Sequence, residues 1–128
     1  MTALSGSTLE KILLHLNFDR HPTPSFETLA ELLGRYVRAV CWGSVFRISR
    51  LATLPTPEAR VRPPETFWLD AVERGGDGTC FESNWAFHAL LCALGFDCEL
   101  TLNDMHDQPP ECHSALVCHL QGRRYLVD

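Results

Sequence analysis

Leu9, Ile12, Leu13 and Leu16 recur at the spacing of one helical face. Ser7-Thr8-Leu9-Glu10 ahead of them reads as a capping box with Ser7 as N-cap, so a first helix is expected over residues 8–16. Residues 17–22 read as a turn. Thr23-Pro24 has the form of an N-cap followed by a first-turn proline. It opens a second helix whose apolar stripe is Leu29, Leu32, Leu33, Tyr36, Val37 and Val40. Two amphipathic helices on a short link are expected to pack as a hairpin. Residues 41–48 are apolar without a clean period, as a short strand or a loop would be. Across residues 51–65, Pro55, Pro57, Pro63 and Pro64 speak against regular structure, and a connector is expected. Phe67-Trp68-Leu69 and Ala71-Val72 then form a short apolar turn. Residues 81–94 are apolar on nearly every side, the mark of a buried helix, and Gly95 supplies its C-terminal stop. Phe96, Cys98, Leu100 and Leu102 alternate with polar neighbours as a half-buried strand does. Residues 103–111 are a loop, 113–120 a second strand, Gln121-Gly122 a tight turn and 123–128 a third strand.

Helices first and an antiparallel meander last make an α+β protein. Residues 1–66 read as an N-terminal helical region with a Pro-rich connector. Residues 67–128 read as a core in which one helix packs on the strands.

Composition narrows the partners. The 11 basic and 16 acidic residues leave a net charge of −5, which argues against nucleic acid or an anionic membrane. No apolar run approaches the ~20 residues that span a bilayer. Residues 1–6 lack the charged and apolar regions of a signal peptide, so the six cysteines are expected reduced and the protein cytoplasmic.

The chemistry concentrates at Arg74-Gly75-Gly76-Asp77-Gly78-Thr79-Cys80-Phe81-Glu82-Ser83-Asn84. Three glycines in five positions let the backbone bend where side chains would clash. A cysteine then stands where a helix begins, facing unpaired N–H groups and the positive end of the dipole, both of which favour a thiolate. A cysteine nucleophile needs a base, and the base needs a third group to hold its tautomer. If Gln121-Gly122 close a two-residue hairpin, Leu120 faces Arg123, and Asp128 lies opposite Ala115 and diagonal to His113. Diagonal neighbours on one face sit about 7–8 Å apart, within reach of a carboxylate–imidazole hydrogen bond. The expected site is therefore Cys80, His113 and Asp128. A bulge in the turn would separate the last two.

Plainer readings stand beside each of these residues. Cys80 can be a small buried hydrophobe, His113 a capping or solvated residue, and Asp128 an exposed carboxylate. Glu82 and Asn84 can complement the dipole or brace the site, and Arg74 can brace the turn or a carboxylate. His15, His21, His88 and His106 have no clear partner, and His119 lies too near the hairpin turn to serve. A metal site is the competing chemistry, because Cys112-His113 and Cys118-His119 repeat with Cys92 and Cys98 nearby. No two cysteines have the close spacing of a zinc motif, so no metal is expected.

The stretch from Arg74 to Asn84, with Ala89-Leu90-Leu91 and Leu94-Gly95-Phe96, resembles the R-G-G-x-C-x-E-x-N … L-x-x-L-G-F signature of the arylamine N-acetyltransferases. His113 opening an apolar strand, and Gly122 with Tyr125-Leu126-Val127-Asp128, extend the resemblance. It implies a papain- or transglutaminase-like core with a partial barrel. Cys80 would be the nucleophile, His113 its base and Asp128 the orienting carboxylate. Acetyl-CoA would be co-substrate with no bound cofactor, and an arylamine, arylhydroxylamine or hydrazine the acceptor. Three departures accompany it. Asp77-Gly78-Thr79 stand where the family has one residue, and Cys41-Trp42-Gly43-Ser44 replaces a P-F-E-N-like motif. The chain also stops at Asp128, as a truncated relative would, and the sheet edge this exposes is a route to a homodimer. Two alternatives stay open: a transglutaminase-like cysteine hydrolase or amide-forming acyltransferase, and an inactive binding domain that retains the three residues.

Overall fold

A helix with no polar face has to be enclosed, and α6 (Cys80–Ala93) is. Its buried Ala86, Phe87, Ala89, Leu90 and Leu91 span about 200° of circumference at ~3.6 residues per turn, twice the stripe of a surface helix. A computed structural model describes residues 3–128 of the chain. Five helices precede α6: α1 (Gly6–His15), α2 (Phe26–Ala39), α3 (Val45–Thr53), α4 (Pro57–Arg60) and α5 (Pro64–Arg74). Three strands follow, β1 (Asp97–Asn103), β2 (His113–Leu120) and β3 (Arg123–Val127), forming one antiparallel sheet in the order β1-β2-β3. The α+β architecture is as expected. α5 closes α6 on one side and β1 and β2 on another, and the Trp68 indole N–H donates to the Ala86 carbonyl across the helix pair at 2.9 Å.

The hairpin register is the one a two-residue loop dictates, with Leu120 opposite Arg123 and Leu116 opposite Val127. Gln121 and Gly122 both take positive φ (52° and 75°), the backbone of a type I′ turn, which matches the twist of the flanking strands.

The N-terminal half departs from expectation at its helix ends. Ser5, not Ser7, caps α1 by accepting from the Thr8 N–H, and Ser25, not Thr23, caps α2 by accepting from the Thr28 N–H. Both helices bury most of the anticipated stripe, though Val37 is 60% exposed. The expected α1–α2 hairpin is replaced by packing of α1 on α5. What ties α2 to the end of α1 is Arg35, whose guanidinium donates to the Leu16 carbonyl at 3.0 Å and to that of Asn17. The connector is largely helical, because its prolines stand where a helix tolerates them. Pro57 and Pro64 open α4 and α5 in the first turn, where no N–H is needed. The apolar turn expected at residues 67–72 is therefore the body of α5, burying Pro64, Phe67, Trp68 and Ala71. Residues 45–48, expected as strand or loop, open α3.

The partner foreseen in Glu10 comes instead from α5. Glu65 accepts from Thr8 Oγ1 (2.5 Å), Ser5 Oγ (2.7 Å) and the Ser5 N–H (3.0 Å). Burial pushes its carboxyl up, but these bonds and nearby Lys11 outweigh burial and hold it below the usual carboxylate value. Stability from a depressed carboxyl is present above its unfolded pKa and lost as pH falls through the folded one. Glu65→Gln is accordingly expected to flatten the acid limb of the stability profile, read by urea unfolding from neutral pH down. Parallel profiles would show that Glu65 does not link α1 to α5 in this way.

Candidate active site

The turn before α6 has to bring a backbone close to an aromatic ring. A Cβ on Gly78 would collide with the Phe67 ring, so only glycine fits there. Gly78 also pairs with the segment before α3, its N–H donating to the Cys41 carbonyl (3.3 Å) and its carbonyl accepting from the Gly43 N–H (3.0 Å). Between these glycines, the Asp77 carboxylate accepts from the N–H groups of Val45 (2.9 Å) and Phe46 (3.0 Å), capping α3 where Ser44 makes no side-chain cap.

Arg62 holds this turn from beneath. Its side chain is fully buried; Nη2 donates to the Asp77 carbonyl (2.7 Å), Nε to Glu82 Oε2 (2.5 Å) and Nη1 to Asp70 Oδ2 (3.4 Å). The guanidinium also lies over the rings of Phe46 and Phe67, 5.4 and 5.1 Å from their centroids. One cation thus joins the glycine turn, α5 and the first turn of α6. Arg74, the sequence candidate for this task, is 67% exposed; it reaches Asp70 Oδ1 (3.3 Å) and lies over the Phe46 ring, 4.8 Å from its centroid. The sequence carried little sign of Arg62, a single arginine in a Pro-rich stretch.

Cys80 is the first residue of α6, at the positive end of its dipole, with Thr79 as N-cap in extended conformation. Ser114 Oγ donates to the Cys80 carbonyl at 2.9 Å, fixing the helix start to β2. His113 opens β2, and its Nε2–H donates to Asp128 Oδ2 at 2.8 Å. This bond sets the tautomer and leaves Nδ1 with a free lone pair. Asn84, one turn into α6, spans strand and carboxylate by donating to the Ser114 carbonyl (2.5 Å) and to Asp128 Oδ1 (3.4 Å). Cys80, His113 and Asp128 line one cavity of about 220 Å³ with Tyr36, Val40 and Trp42. Among the described residues no hydrogen bond joins Cys80 Sγ to the imidazole. The Tyr36 hydroxyl, buried and pushed far up by burial, donates to the Ser83 carbonyl at 2.8 Å and closes the cavity floor.

A larger cavity, about 620 Å³, opens on the other side of the same helical turn, between α3, α4 and the residues Phe81, Glu82 and Trp85. The remaining histidines lie elsewhere: His119 bonds Glu99 (3.1 Å), His106 pairs with Asp107 on the surface, and His15 Nε2 is buried with no hydrogen-bond partner among the described residues. His88, read as having no clear partner, lies 3.0 Å from the Cys98 carbonyl.

The same architecture is found in solved arylamine N-acetyltransferases. That of Salmonella typhimurium matches 98% of this chain and 44% of its own at a TM-score of 0.77 and 18% identity. That of M. smegmatis matches 94% of this chain and 45% of its own at 0.71 and 26% identity. A third, from Bacillus cereus, carries a unique Cys-His-Glu catalytic triad and matches 95% of this chain and 48% of its own at 0.70 and 18%. This chain thus spans less than half the length of each. The N-acetyltransferase family model matches residues 64–128, which hold the glycine turn, α6 and the sheet, and no curated protein matches the sequence. The chain belongs to the arylamine N-acetyltransferase family.

Proposed function

We propose that the chain carries an acyl-transfer centre in which Cys80 is the nucleophile, His113 its base and Asp128 the group that orients the base. The observation that carries this reading is the His113–Asp128 hydrogen bond at the mouth of a cavity shared with Cys80. His113 Nδ1, left free by that bond, takes the Cys80 proton as the sulfur attacks the thioester carbonyl of acetyl-CoA. The negative oxygen that forms stands next to the α6 N-terminus, whose first N–H groups lack intrahelical partners. Collapse expels the CoA thiolate, which recovers the proton from imidazolium, and an acetyl-cysteine remains. An arylamine or hydrazine nitrogen then attacks that thioester. His113 accepts the proton from nitrogen and returns it to the Cys80 sulfur as it leaves. Family membership supports the acyl chemistry. The arylamine N-acetyltransferases among the structural relatives support the arylamine, and the Bacillus cereus protein supports a Cys-His-carboxylate set.

The described sheet has two open edges, β1 and β3, and pairing of one with its copy is the dimer this reading includes. No described helix is long and apolar enough to cross a membrane.

Intact mass spectrometry after incubation with acetyl-CoA tests the proposal. One acetyl adduct per chain is expected, absent in Cys80→Ser and discharged by an added arylamine. Discharge by water alone at the same rate would make the chain a thioester hydrolase. Absence of any adduct, with Cys80 still alkylated by iodoacetamide, would leave a binding domain and overturn the reading.

A further inference from the structure

At the other end of α6, far from Cys80, a second group of soft ligands meets. We propose that His88, Cys92 and Cys98 form a binding site for a thiophilic divalent cation of the zinc type. One ligand atom from each of the three lies within 4.8 Å of those of the other two, and all three residues are half-buried. His88 and Cys92 stand four residues apart and so share one face of α6, while Cys98 comes from β1. Cys92 is about 18 Å along the helix from Cys80 at ~1.5 Å per residue, which separates this group from the acyl-transfer cavity.

The hydrogen bonding of His88 suits a metal-ligating histidine. Metal-bound histidines nearly always give their second ring N–H to a carbonyl or carboxylate. His88 Nε2 lies 3.0 Å from the Cys98 carbonyl, which makes it the N–H and leaves Nδ1 as a lone pair. Cys92 Sγ sits 4.0 Å from that Nδ1 and 3.5 Å from Nε2, facing the edge of the ring that carries both nitrogens. With Zn–S about 2.3 Å and Zn–N about 2.0 Å, two tetrahedral ligands stand about 3.6 Å apart, so a small turn of the imidazole that brings Nδ1 toward the sulfur completes the edge. Two thiolates and an imidazole are the donor set that selects zinc or cobalt over magnesium or calcium. Exposed Asp97 adds negative charge beside Cys92.

Cys118 supplies the neighbouring position. It faces Cys98 across the β1–β2 ladder and is fully buried, while the Cys98 thiol donates to the Phe96 carbonyl at 4.0 Å. A divalent cation displaces the protons of its thiol ligands on binding. The sequence hid the site because its ligands are drawn from a helix and a strand. Neither contains a close pair of cysteines, and the absence of a metal expected from spacing alone did not consider His88.

Cobalt(II) titration of the reduced protein under nitrogen provides the test. One equivalent is expected to bind with thiolate-to-cobalt charge-transfer absorption and to be displaced by zinc. Cys92→Ser, half-buried and on a helix, should weaken cobalt binding by at least the ~100-fold that changes outside the ligand shell reach. His88→Ala, as a second variant, should do the same with circular dichroism unchanged. Cys41→Ser and Cys80→Ser should leave the absorption intact, and the latter separates this site from acylation. The proposal is overturned if the wild type shows no charge-transfer band, or if the band survives in a folded Cys92→Ser. It is equally overturned if the band vanishes in Cys80→Ser, or if the protein keeps a Cys98–Cys118 disulfide that reductant does not open to free thiols.

Discussion

Replacing Arg62 by methionine is expected to destabilise the protein by about 3–5 kcal/mol, the cost of removing one partner from a buried charge pair. The guanidinium is fully buried, and the carboxylates it pairs with, Glu82 and Asp70, are each 14% exposed. Methionine fills much of the volume, so cavity formation contributes little. What remains is the Asp77 carbonyl with its donor gone, a mostly buried carboxylate at the start of α6 left with the Thr79 hydroxyl (3.4 Å), and a second on α5 left with Arg74 (3.3 Å). Arg62→Lys should recover only part of the loss, since an ammonium cannot reproduce the fork that serves three acceptors in different directions. Urea unfolding of the three proteins decides the matter. A methionine variant within ~0.5 kcal/mol of wild type, the ordinary range of a surface change, would mean that Arg62 is not the tie between the turn and the two helices.

Asp128→Asn is expected to slow acetylation of Cys80 by roughly 10³–10⁴-fold, the scale on which triads respond to this change. Asp128 accepts the Nε2–H of His113 and so keeps the Nδ1 lone pair available. An asparagine amide can donate to Nε2 instead, which favours the other tautomer and places a hydrogen on Nδ1. It also withdraws the negative charge that steadies an imidazolium. Stability should change little, because the Asp128 side chain is about half exposed (48%). Single-turnover acetylation followed by mass, beside an unfolding curve, distinguishes the two effects. A variant that acetylates at the wild-type rate would remove Asp128 from the mechanism.

The sheet was readable in detail because its information is local. Period-2 alternation names the strands. A two-residue loop with both φ positive permits one register, and that register carries Asp128 to the end of β2 at which His113 stands. α6 was readable for a similar reason, being a long apolar run bounded by a glycine turn and Gly95. The helices around the prolines were not. Proline reads as a breaker when its position in the turn is unknown, yet Pro57 and Pro64 occupy the one place where its missing N–H costs nothing. Helix caps were misplaced by two residues because Ser5 and Ser7, or Thr23 and Ser25, are equally good oxygens. The tertiary partner decides between them, and for α1 that partner is Glu65, 60 positions beyond Ser5.

By itself the sequence determined the α+β order, the buried helix headed by Cys80, and the pairing that sets His113 beside Asp128. All of these follow from periodicity and turn chemistry within a few residues. Only the tertiary structure decided which cation holds the glycine turn, which hydroxyls cap the first helices, and that His88, Cys92 and Cys98 converge. Those choices depend on charges and lone pairs brought together from distant segments. Such groups find one another by burial, where an unpaired donor or charge is costly, and burial has no signature in linear spacing.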